Sequence, residues 1–232
     1  FRFPARIVSY PLISGNHWKL LSNFLILKSY YFQKQLLQGV SLQVQRNGGR
    51  KHMDKIITLN ELRNLAKNCN GEVYHIYLHW TAGRYDQTFD DYHICITGDA
   101  QIHLMGDLDE YKEHTWHRNS NAIGVTLCGC FDASAYADGN VNFGSQPPTA
   151  EQIEAMAKVV TILCENFNIP IDANHVMTHA EAADLDDYGP ATTCERWDLW
   201  KLYDIPGDGK LKPGGDVIRG KAIWFQNYPD TI

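Results

Sequence analysis

The chain has 232 residues, a mass of 26.4 kDa and a net charge of −6, with 44% hydrophobic and 21% charged residues. That is ordinary globular usage and enough chain for one sizeable core, which excludes disordered, collagen-like and coiled-coil proteins. No run of about 18 apolar residues offers a membrane span, and the acidic balance argues against a nucleic-acid partner.

The charge is divided. Residues 1–52 hold eight basic residues and no acidic one, whereas the other thirteen basic and all 27 acidic residues follow. The first methionine, Met53, stands just past this boundary. The expectation is therefore a basic N-terminal segment over 1–52, either foreign to the native domain or a basic leader. The domain proper then spans 53–232. Within 1–52, the apolar run Phe24–Leu27 is too short for a convincing secretory signal.

Thr58-Leu59-Asn60-Glu61 is a capping box, and apolar residues from Leu59 to Cys69 recur at helical spacing until Asn70-Gly71. Glu72 to Trp80 alternates as a strand with His75, Tyr77 and His79 on one face. Tyr92–Thr97 is a second strand, and Gln101–Leu104 returns as its hairpin partner after Gly98-Asp99. Ala122–Cys128 is a third, buried strand. A second capping box, Thr149 to Gln152, opens a long helix with a stripe from Ile153 to Phe167. Val176–Thr178 is a short strand, followed by an acidic loop and a short helix near Trp197–Tyr203. The tail from Ile205 is rich in Gly and Pro and reads as poorly patterned. Strands alternating with helices predict an α/β fold, a central mixed β-sheet flanked by helices.

Six cysteines at irregular spacing, with no C-x-x-C pair, read as reduced thiols and exclude a zinc ribbon. Eight of the ten histidines follow Met53. His79 ends a strand before a Gly-containing loop, and His179 ends an apolar run before a polar one. Strand ends are where α/β folds gather catalytic groups, and two imidazoles with one anionic ligand form a common catalytic zinc arrangement. His175 and His179 stand four apart, but no Glu follows His175, so the H-E-x-x-H pattern is missing.

Five pieces then occur in order: His79-Trp80-Thr81-Ala82-Gly83, Asp91-Tyr92-His93-Ile94, Trp116-His117 with Asn119–Asn121, Ile123–Gly129, and Thr178-His179-Ala180-Glu181. Together they resemble the zinc-dependent N-acetylmuramoyl-L-alanine amidases, the group of phage lysozyme-type amidases and peptidoglycan recognition proteins. The resemblance covers about residues 55–203, leaving 204–232 as a C-terminal extension. It implies a single amidase domain with a zinc cleft at the strand ends. His79 and His179 would be ligands, with Asp198 third and Cys194 the alternative. It implies that Tyr92 orients or relays the proton of the attacking water, and that Arg196 stabilises the oxyanion. His117 and Trp80 would contact substrate. Some relatives carry a catalytic Glu where this chain has Thr126, which cannot act as a base.

The implied substrate is the amide between N-acetylmuramic acid and L-alanine in peptidoglycan. The implied setting is a phage or prophage endolysin, a monomer made in the cytoplasm and acting at the wall or periplasm. A bacterial autolysin, a non-catalytic peptidoglycan-binding module and another zinc hydrolase on the same scaffold stay open.

Overall fold

The computed structural model describes residues 53–136, 140–188, 194–204 and 209–232. The expectations for residues 1–52 lie outside these. A six-stranded mixed sheet is built from β1 (Lys55–Ile57), β2 (His75–Trp80), β3 (Ile94–Ile96), β4 (Ile102–Leu104), β5 (Ala122–Leu127) and, later in the chain, Val176–Thr178. Two short strands, β6 (Ser134–Ala135) and β7 (Val141–Asn142), pair outside it, so Val176–Thr178 is β8. The spatial order is β1-β4-β3-β5-β2-β8. The β1, β4 and β3 pairings are antiparallel, whereas β3, β5, β2 and β8 run parallel.

The helices start where the sequence supplies caps. In α1 (Leu59–Asn68) the Glu61 N–H donates to Thr58 Oγ1 at 3.1 Å, and the Thr58 N–H donates to the Glu61 carboxylate at 2.8 Å. Thr149 and Gln152 cap α2 (Ala150–Phe167) in the same way. Gln152 is itself buried. Its amide donates to the carbonyls of Ile96 and Cys128, pinning the start of α2 to the chain leaving β3 and β5.

The period of two along β2 sorts its side chains. Ile76, Leu78 and Trp80 enter the main core together with Val160 and Leu163 of α2. Tyr77 points to the opposite face, into a smaller cluster with Ala122, Met177 and Ala182. Every residue of β5 is buried, as a central strand covered on both sides should be.

Three elements depart from the sequence reading. The segment after β8, expected as a loop, forms α3 (His179–Leu185), because Thr178 and Glu181 make a third capping box. The expected helix near Trp197 is one turn, α4 (Cys194–Trp197), followed by β9 (Lys201–Tyr203) paired with β10 (Leu211–Pro213). The tail is not unpatterned: α5 (Gly214–Asn227) buries Val217, Ile218, Ala222 and Phe225 against α2. Among the described residues no helix is long and apolar enough to cross a membrane, and Cys69, Cys95, Cys128, Cys130 and Cys164 are free thiols.

Candidate metal centre

Strand register brings the two histidines together. In the parallel pair β2 and β8, Leu78 lies opposite Thr178, so the next residues, His79 and His179, stand side by side at the C-terminal ends. Their ring centroids are 4.9 Å apart. Asp198 follows α4 and reaches the same point from a third part of the chain. Its Oδ2 lies 2.8 Å from His79 Nδ1 and 3.0 Å from His179 Nδ1. Its Oδ1 accepts the Trp80 N–H at 2.7 Å, and its carbonyl accepts the Ala180 N–H at 3.2 Å. The carboxylate is thus fixed to both histidine-bearing segments.

One ligand atom from each of His79, His179 and Asp198 lies within 4.8 Å of the others. His79 is fully buried and Asp198 nearly so. Burial lowers the His79 imidazole below its usual value, against the pull of Asp198. Burial alone would raise the Asp198 carboxyl, but His79 and then His179 outweigh it and hold it low. A neutral imidazole beside an ionised carboxylate is what a divalent cation requires of its ligands. The donor set, two imidazole nitrogens facing one carboxylate oxygen, therefore fits zinc. The Cys194 side chain, the alternative third ligand, lies outside the described residues.

Tyr92, just before β3, packs on the Cys95, Met105 and Cys128 cluster with its ring 5.0 Å from that of His79. Burial, with the Asp198 charge adding, pushes its phenol well above the usual value, so it keeps its proton at neutral pH.

One expected site residue is placed in the core. Trp80, expected to contact substrate, is buried. It is one residue from His79 on a strand and so points to the opposite side, edge-on to Phe143 and Trp197 in the core. What Trp80 gives the site is its backbone N–H. Arg196, two residues before Asp198, donates to the Tyr188 carbonyl at 2.9 Å, to Asp184 near the end of α3 at 2.8 Å and to Asp187 at 2.9 Å. His117 is exposed, with its ring 3.7 Å from that of Trp116, which stacks on Tyr188 at 4.5 Å. Both His117 and Trp116 line a groove of about 440 Å³ with His75, Tyr77, Arg118 and Asp186.

His114 and Thr115 are buried beside the cluster, and the sequence reading did not single them out. The only signal was their place just before the Trp116-His117 pair. His93 is buried in a neutral form, its Nδ1 accepting the Gly124 N–H at 3.0 Å while Nε2–H donates to the Glu110 carbonyl at 2.7 Å. Burial pulls it from 6.5 to about 4. The unfolded chain therefore takes up a proton at higher pH than the folded one, and stability is present above 6.5 and lost as pH falls toward 4. Urea titrations should lose up to about 3 kcal/mol over that window from this residue. His93→Gln should flatten that slope by about one proton; an unchanged slope would contradict the assignment.

The sheet and buried His-His-carboxylate cluster define the class: an α/β domain with a candidate metal site at the ends of parallel strands. The sequence profile of the N-acetylmuramoyl-L-alanine amidase family matches residues 69–198, and the chain belongs to that family. Among solved structures, it is similar to the endolysin N-acetylmuramoyl-L-alanine amidase LysCS from Clostridium intestinale, at 15% identity and a TM-score of 0.39, over 62% of this chain and 83% of that one. It is also similar to PGRP-Hd from Alvinella pompejana, at 14% identity and a TM-score of 0.32, over 61% and 92% of the two chains. A comparison with curated proteins finds no match.

Proposed function

We propose that the chain is a zinc-dependent amidase that cuts the bond between N-acetylmuramic acid and L-alanine in peptidoglycan. Family membership supports the reaction class. The observation that carries the metal is the convergence of His79, His179 and Asp198 within 4.8 Å. These three residues would hold the zinc. When bound, zinc supplies Lewis-acid chemistry, activating water and polarising the amide carbonyl.

The chain's own groups do the rest. Trp80 N–H and the Asp198 carboxylate keep the ligand set preorganised. Tyr92, holding its proton beside His79, donates a hydrogen bond to the attacking water or to the carbonyl oxygen as charge develops there. Thr126, buried on the neighbouring strand in register with His79, brings no base. The oxyanion role of Arg196 rests on the sequence resemblance alone; its guanidinium pairs with Asp184 and Asp187, both largely exposed. The groove beside Trp116 and His117 offers aromatic and polar surface for the muropeptide. We take the protein for a phage or prophage endolysin acting as a monomer at the cell wall, a setting that rests on the sequence resemblance alone.

Digestion of purified peptidoglycan followed by mass spectrometry tests the reading. Stem peptides with free L-alanine amino termini and intact glycan are expected, in a metal-dependent reaction. A cut at another bond would favour a different zinc hydrolase. Binding without any cut in zinc-containing buffer would favour a recognition module.

A further inference from the structure

His79 is buried on every side, so the far nitrogen of its ring needs a partner. Thr115 Oγ1 lies 3.3 Å from His79 Nε2 and 3.0 Å from His114 Nδ1. Thr115 is in turn fixed by Asn119, whose Oδ1 accepts the N–H groups of both His114 and Thr115 at 3.1 and 2.8 Å. The His114 ring occupies space kept open by Gly124, where a Cβ would come within 2.7 Å of it. Asn119, Thr115 and His114 thus form a built support behind one ring of the cluster.

We infer that Thr115 is a positioning residue that sets which nitrogen of His79 carries the proton. A hydroxyl both donates and accepts, so the chain can run in either direction. When His79 Nδ1 donates to Asp198, Nε2 accepts from the Thr115 hydroxyl and His114 Nδ1–H donates to Thr115 Oγ1. When Nδ1 is turned to a metal, the proton sits on Nε2 and passes to Thr115 Oγ1 as a hydrogen bond, while the Thr115 hydroxyl donates to His114 Nδ1. Valine has the same shape and can do neither. The inference rests on the metal reading given above, and its test separates the two.

The test is zinc binding by the full chain, measured by chelator competition, with proton NMR of the zinc-loaded protein. Thr115→Val should weaken zinc binding about 10- to 100-fold, the usual effect of removing the partner of a ligating histidine. It should also move the His79 Nε2–H resonance upfield, which a general loosening of the fold would not do. Thr115→Ser should restore both. If the unaltered chain binds zinc and Thr115→Val binds it equally well, the positioning role is overturned and the metal reading stands. If the unaltered chain binds no zinc, both are overturned.

Discussion

Asp198→Asn is expected to empty the metal centre and to lower amidase activity about a thousandfold, since a Lewis acid supplies several kcal/mol and each 1.36 kcal/mol is tenfold. The substitution keeps the shape and leaves an oxygen for the Trp80 N–H, so the fold should persist. What it removes is the charge: two neutral imidazoles and an amide are a poor site for a divalent ion. Its far-UV circular dichroism should match the parent while zinc content and stem-peptide release collapse. Full activity and full zinc content in this variant would contradict the assignment.

Arg219→Met is expected to cost about 2–3 kcal/mol, the range for hydrogen bonds to charged groups with a buried partner lost, moderated by the partial exposure of Glu181. For a domain of this size that is roughly 5–10 °C in Tm. Arg219 is buried on α5 and donates to both oxygens of Glu181 at 2.8 Å, to Asp216 at 2.7 Å and to the Val176 carbonyl at 2.9 Å. Glu181 in turn accepts the Thr178 N–H at 2.8 Å, one residue before His179. The tail helix therefore holds the cap that sets His179, and zinc should bind more weakly as well. The glycines at the start of α5 serve the same docking. A Cβ at Gly215 would meet Glu181 at 2.4 Å, and one at Gly214 would meet the Leu199 carbonyl at 2.0 Å, next to Asp198. Calorimetry gives the midpoint; an unchanged Tm would mean that the pair is not coupled to folding.

The site was legible where periodicity and family motifs met. The alternation of β2 put His75, Tyr77 and His79 on one face, and the same alternation forbids Trp80 from sharing it. The choice of Asp198 followed from a motif, and its position beside both imidazoles comes from tertiary structure no local pattern displays. Thr178-His179-Ala180-Glu181 carries a ligand histidine in its motif, and its Thr and Glu also spell a helix start. The α5 helix hid behind Pro213-Gly214-Gly215, residues that read as a loop but allow close approach to Glu181 and Leu199. His114 and Thr115 were invisible because a buried support for a ligand has no spacing rule. Arg196 carries an expected oxyanion role in sequence, and its ion pairs with Asp184 and Asp187 come from the segment after His179, which no local pattern displays.

An anomalous difference map at the zinc edge, from crystals of the zinc-loaded chain, tests the central claim most directly. One strong peak is expected about 2.0–2.2 Å from His79 Nδ1, His179 Nδ1 and an Asp198 oxygen. A zinc-loaded, wall-active chain with no peak between these three side chains would contradict it.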